Sequence, residues 1–385
     1  MIYVLKCDIY VESEDMQMDS ILRTAPAVFA VGDNYQIMVP VTAHALMWVR
    51  VGEEEYYDDS NGIIRSATEL HRICVPAVEL EKAKEYTLCY RKMIERKPYF
   101  SETGEVEEFT YKFMPVLDDG ARAYHIADAH NMVDAPVAAA KVFEEKFGTI
   151  DFLIMNGDIP NHSGEIEYFY DIYKIAAQIT NGNIPIVFAK GNHDMRGIYA
   201  ENIAEYTPCE NGNSFFTFRL GNIWGLVLDT GEDKVDSHEE YGNTVCCHYF
   251  RKRETRFIDK VIADAKAQYN AQGIDYRVVV VHNPFTIIQK DPFTIEKEMF
   301  GNWTKKINEN INPDAMLCGH MHYLDIHYPD DEKNLHKAEF PVVVGSKPTV
   351  KENYFAGAGF IFKNGKIQVV FCDSEGNILR DEVLR

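Results

Sequence analysis

Residues 184–194 read IPIVFAKGNHD, an apolar run that ends in a glycine, an amide, an imidazole and a carboxylate. The run is short, β-branched and bounded by turn-forming residues, so it predicts a buried strand. A sharp turn carrying metal-binding groups follows it. The same arrangement recurs on both sides. Apolar residues 123–127 lead into Asp128-Ala129-His130, and 152–155 lead into Asn156-Gly157-Asp158. Residues 277–281 deliver His282, and 315–317 deliver Gly319-His320-Met321-His322. Helices are predicted over 134–147, capped by Asp134 with Pro136 in its first turn, and over 164–180. Strands alternating with helices, with polar residues at strand ends, predict an α/β domain whose site gathers along one edge.

Outward from this centre, strands are predicted at 215–220, 223–228, 324–327, 342–344, 360–362 and 367–371, with a helix at 254–270. The first 115 or so residues differ. Runs at 35–41, 45–51, 72–75, 86–90 and 109–113 are rich in β-branched and aromatic residues and are separated by turn-like segments such as Gly32-Asp33-Asn34. They predict an all-β sandwich of the immunoglobulin or fibronectin type III kind. The expected division is 1–117 for this β-sandwich and 118–385 for the α/β domain that carries the strand-end motifs. The sandwich carries no clustered ligand residues, which suits a structural or docking role with an unknown partner.

Bulk properties narrow the function. The 385 residues carry a formal net charge of -21, which repels polyanions, so polymeric nucleic acid is a disfavoured substrate. The basic run Arg251-Lys252-Arg253 reads as a solvated helix start. No stretch is long and apolar enough for a membrane span, and the segment from Met1 through Glu12, Glu14 and Asp15 lacks signal-peptide features. Eight cysteines without regular spacing form no disulfide framework. Cys74, Cys89, Cys318 and Cys372 read as small buried hydrophobes, and Cys246-Cys247 as an adjacent pair beside His248. A reduced, cytoplasmic protein without membrane contact is expected.

Taken singly, a Gly-Asp pair is usually a turn and a histidine after a strand is usually a hydrogen-bonded core residue. Five such motifs in order, each after its own strand, point instead to one metal centre. Two cations a few ångströms apart repel and need a bridging anion with further anionic or neutral ligands. A mixed oxygen and nitrogen shell suits manganese, iron, zinc or nickel better than calcium or magnesium. The glycines before Asp158, Asn192 and His320 let the backbone approach the ions.

Asp128-x-His130, Gly157-Asp158, Gly191-Asn192-His193-Asp194, His282 and Gly319-His320-x-His322 resemble the motif series of the calcineurin-like metallophosphoesterases. The resemblance covers roughly 121–350 and implies a four-layer α/β/β/α sandwich. It also implies two metal ions. One would be held by Asp128, His130, Asp158 and His322, the other by Asp158, Asn192, His282 and His320, with Asp158 bridging. The reaction so implied is attack on phosphorus by a metal-bridging hydroxide, with His193 as general acid or charge stabiliser at the leaving oxygen. The substrate is expected to be a small phosphomonoester or phosphodiester. A nuclease, or a non-catalytic interaction scaffold on the same fold, is the alternative.

The sequence also departs from two branches it resembles. Protein Ser/Thr phosphatases carry Asp and Arg where Asn161 and His162 stand here. Purple acid phosphatases share a β-sandwich before the catalytic domain, but place a metal-binding Tyr at the position of Asn161 and lack the His of Asp-x-His. Arg196 could grip a substrate phosphate or pair with a carboxylate, and His162 could reach the pocket. His125 and His248 read as structural. Tyr168, Phe169, Tyr170 and Tyr173 read as the buried face of a helix. Specificity is expected from the loops 161–164, 196–213 and 231–248.

Overall fold

The computed structural model describes residues 20–117 and 119–384. The reading of the chain start, Cys7 and the first nineteen residues of the β-sandwich lie outside the described residues.

Two runs of parallel strands organise the catalytic region. Ala121–Ile126, Phe152–Asn156 and Pro185–Ala189 pair in parallel, and so do Ile223–Leu228, Tyr276–Val281, Ala315–Cys318 and Val342–Thr349. The antiparallel strand Tyr354–Lys363 joins the two runs into a single hydrogen-bonded path. Successive side chains of a strand point to opposite faces, and the valine run Tyr276–Val281 uses both. Val278 and Val280 enter the main core, while Val279 and Val281 enter a second one with Ile258, Val261 and Trp303. That second core is covered by helices Cys247–Ala263 and Lys297–Lys306. Helices Asp134–Phe147 and Ile166–Thr180 cover the other outer face, where Gly359 leaves room for the Phe143 ring. The result is the expected mixed α/β sandwich with strands buried on both faces.

The N-terminal region is β-rich. Ala45–Val51, Glu54–Tyr57, Glu85–Glu95 and Glu102–Lys112 form an antiparallel sheet. Ala27–Val31, Asn34–Pro40 and Leu70–Pro76 instead extend the catalytic sheet, because Val28 and Phe29 register in parallel with Pro185 and Ile186. Hydrogen bonding therefore runs continuously from the β-rich region into the strand that delivers Asn192.

Several local expectations need correction. The helix expected at 254–270 spans Cys247–Ala263, because Asp236 accepts from the backbone N–H groups of Cys247 (3.0 Å) and His248 (3.1 Å). A cap supplied from eleven residues away leaves no local signature. Arg251 is not a solvated helix start: it is fully buried and donates to the carbonyls of Thr230 and Glu232. Cys74 is exposed on a half-buried strand, although Cys89, Cys318 and Cys372 are buried. Asp134 opens its helix without a side-chain capping bond, lying in the first turn where its charge suits the dipole. Phe169, Tyr170 and Tyr173 are buried as a helix face.

Candidate metal centre

All five motifs emerge from the C-terminal ends of parallel strands, where an α/β sheet places its ligand sites. The turns there are tight. Asp128, Asp158, His130, His320 and His322 all have positive φ, between 46° and 67°. Non-glycine residues rarely adopt this conformation, and its concentration here marks a functional constraint. The glycines fill two different needs. Gly157 has φ of 79°, whereas Gly191 is needed for space: a Cβ there would lie 2.1 Å from Asp158 Oδ1.

The expected ligand side chains meet. His322 Nε2 lies 3.2 Å from Asp128 Oδ1 and 3.1 Å from His130 Nε2. His282 Nε2 lies 3.1 Å from Asp158 Oδ2 and 3.7 Å from Asp128 Oδ1. His320 Nδ1 lies 3.0 Å from Asn192 Oδ1. Ligand atoms of Asp128, His130 and His322 fall within 4.8 Å of one another, and so do those of Asp158, His282 and His320. A third such group joins His130, Asp158 and His193.

Supporting bonds orient these groups. The Asn156 carbonyl accepts from His282 Nδ1 at 2.6 Å, which turns the Nε2 lone pair inward. The Asn156 amide nitrogen in turn donates to His125 Nε2 and to the carbonyls of Val281 and Leu317, tying the two strand runs together behind the site. Ser346 donates to Asp128 Oδ2. Neither Asn156 nor Ser346 stands out in the sequence, since an amide or hydroxyl at a strand end is common.

Whether a metal fits is decided by what the inward atoms lack. Asp128 Oδ1 and His282 Nε2 are buried without a hydrogen-bond partner. His130 and His322 bring ring nitrogens face to face, and lone pairs so close repel unless a proton or a cation lies between them. Burial disfavours charge on His282, yet Asp158 and Asp128 together hold its imidazole up to about 10. Despite burial, His282 and His322 hold Asp128 down to about 2. Burial pushes His130 and His320 down to about 4, keeping them neutral as ligands must be. Buried carboxylates beside the neutral imidazoles of His130 and His320, with His282 exchanging its proton for a cation, form a donor set that fits transition-metal cations.

The remaining expected residues divide. His193 stands beside the cluster: its Nδ1–H donates to the Asn161 carbonyl at 2.7 Å, and its backbone N–H donates to Asp158 Oδ1 at 2.8 Å. Arg196 takes the carboxylate option, held by Glu232 (2.8 Å) and Asp233 (3.2 Å). His162 accepts from the Gly164 N–H at 3.0 Å and packs on Tyr168, away from the residues that line the cavity. His248 pairs with Glu296 at 2.8 Å. The cavity over the cluster, about 440 Å³, is bounded by Asp233 and by Gln289, Lys290, Phe293, Met321 and Tyr323. Of the three loops expected to set specificity, only 231–248 contributes a lining residue, Asp233.

The family described as calcineurin-like phosphoesterase matches residues 121–324. The chain belongs to this family. As a calcineurin-like phosphoesterase it is a metal-dependent hydrolase of phosphoesters. The purple acid phosphatase PPD1 from yellow lupin (Lupinus luteus) seeds is a structural relative, with a TM-score of 0.57 at 13% identity. The alignment covers 94% of this chain and 75% of that one, so the likeness of fold includes the β-rich region. More distant are GAP50, the anchor in the inner membrane complex of Plasmodium (TM-score 0.42, 14% identity, 69% of this chain and 89% of that one), and Vacuolar Protein Sorting 29 from Cryptosporidium parvum (0.33, 12%, 69% and 97%). No curated protein matches the chain. Among the described residues, no helix is long and apolar enough to cross a membrane.

Proposed function

We propose that this calcineurin-like phosphoesterase hydrolyses a small phosphomonoester or phosphodiester with two transition-metal ions, drawn from manganese, iron, zinc and nickel. The observation that carries this reading is the buried pair Asp128 and Asp158, with His282 between them and unpartnered inward atoms on both Asp128 and His282. Asp128, His130, Asp158 and His322 would hold one ion, and Asp158, Asn192, His282 and His320 the other. When bound, such ions acidify water and neutralise phosphate oxygens.

The chain's own groups do the rest. His193, fixed by Asn161 and Asp158, places its Nε2 at the rim of the cluster, 4.0 Å from Asp158 Oδ2. With Nδ1–H committed to the Asn161 carbonyl, the neutral ring offers Nε2 as an acceptor. Protonated at Nε2, the ring would give up its contact with Arg196 Nη1 and offer Nε2–H to a leaving oxygen. Asp233 presents a carboxylate to the same cavity, which with the chain's charge of -21 disfavours a polyanionic strand and supports a small substrate. The test is turnover of a matched phosphomonoester and phosphodiester pair by manganese-reloaded protein, with Asp158→Asn as control. Turnover lost in the control supports the reading, and the faster substrate assigns the ester class. Metal bound in stoichiometric amount without turnover of either ester would defeat it.

A further inference from the structure

The cavity over the metal cluster has two unlike walls. One is the cluster itself with His193 and Asp233. The other is built from Phe293, Met321 and Tyr323, with exposed Lys290 at the rim. All three side chains of the second wall are only partly buried although large and apolar, an arrangement that leaves surface for a ligand to cover.

Beside exposed Lys290 at the rim, several polar groups near this wall already have partners. Tyr323 Oη is 3.0 Å from His327 Nε2, and Gln289 donates its amide N–H to Asn283 Oδ1 at 2.5 Å. Asp233 Oδ1 accepts from Arg196, Lys234 and Tyr241. A phosphoester whose organic group carries hydroxyls and no ring would find few open partners along this wall, and each hydroxyl buried without a bond costs affinity. Each ring has an ammonium group over it: Lys234 Nζ lies 5.1 Å from the Phe293 ring centroid, and Lys333 Nζ lies 5.8 Å from that of Tyr323. A cation over a ring helps to hold that ring in place.

We propose that the substrate's organic group carries a flat aromatic ring, seated against Phe293, Met321 and Tyr323 while the phosphoryl group meets the cluster. The volume of about 440 Å³ admits a phosphoryl group together with an aryl or nucleobase-bearing group. This assignment of substrate class rests on the hydrolase reading above, but it is tested by binding and not by turnover.

The experiment is calorimetric titration of manganese-reloaded protein with benzylphosphonate and with 3-hydroxypropylphosphonate. Benzylphosphonate is expected to bind about tenfold tighter, the size of gap that ring contacts and apolar burial produce. The gap should close in Phe293→Ala/Tyr323→Ala with metal content unchanged. Phe293→Leu, which keeps the site filled, should retain the fold and lose part of the preference. A nonhydrolysable adenosine phosphonate that binds tighter still assigns the ring to a nucleobase; weaker binding assigns it to an aryl ester. Equal affinities, no binding of either small phosphonate, or a gap that persists in the double variant would overturn the proposal. Ring-selective binding without hydrolysis of benzyl phosphate or its methyl diester would instead sink the hydrolase reading and leave the pocket assignment standing.

Discussion

Arg196 Nη1 donates to His193 Nε2 at 3.0 Å while Glu232 grips the other side of the same guanidinium. With Nδ1–H given to the Asn161 carbonyl, both nitrogens of His193 have defined partners and its tautomer is set. The Asp–Arg pair that protein Ser/Thr phosphatases place at the positions of Asn161 and His162 is absent. A backbone carbonyl and an arginine three residues along the chain take over the orientation of His193.

Arg196→Leu should therefore slow turnover about tenfold to a hundredfold by freeing the His193 ring, since small misplacements of a catalytic group are costly. Metal content should be unchanged, because Arg196 touches none of the expected ligands except through His193. Steady-state kinetics beside metal analysis checks this. A wild-type kcat would mean the ring holds its place without Arg196.

His193→Ala should bind metal normally and lose about a hundredfold or more in kcat, the usual scale of a positioned acid. The ring packs edge-on against that of His130, with centroids 4.8 Å apart, but makes no hydrogen bond to an expected ligand, and the backbone N–H still serves Asp158. Unchanged turnover would remove His193 from the chemistry.

Gly191→Ala should empty the metal centre. The new Cβ would meet Asp158 Oδ1 at 2.1 Å and the Asp158 backbone N at 2.5 Å, so the expected bridging carboxylate must move. Metal analysis of the purified variant should find well under one ion per chain. Full occupancy would show that the loop can yield.

Acid should destabilise the metal-free protein. Burial pushes His125 down to about 4, and His130 and His320 likewise. An unfolded histidine titrates near 6.5, so the unfolded chain binds more protons between about pH 4 and 6.5. Stability is then complete above pH 6.5 and is lost as pH falls through that window. His282, held up to about 10, works in the opposite sense: its contribution is complete below pH 6.5 and fades as pH rises toward 10. Between pH 7 and 5, His125 alone should account for a loss of about 2 kcal/mol in urea unfolding. His125→Gln should flatten that dependence, and an unchanged slope would rule His125 out as its source.

The candidate ligands were legible in the sequence because each follows its own apolar strand, and parallel strands deliver their C-terminal residues to one edge. A chain-local pattern was enough to place Asp128, Asp158, Asn192, His282 and His320 together. The fold class followed from the same alternation. The valine run at 278–281 was legible as a strand, but not that its two faces serve different cores.

What only the tertiary structure decided depends on partners distant in the chain. Arg196 could have met a phosphate or a carboxylate, and Glu232, thirty-six residues later, settles it. Asn156 and Ser346 support His282 and Asp128 from strands whose sequences carry no sign of that duty. The aromatic wall joins Phe293, in the segment after His282, to Tyr323, one residue past the last histidine motif. Side-chain periodicity reports which face of an element is buried, and apolar runs report where strands end. Neither reports which side chain from elsewhere will stand opposite, because that choice is made by packing across elements and is paid for in no local preference.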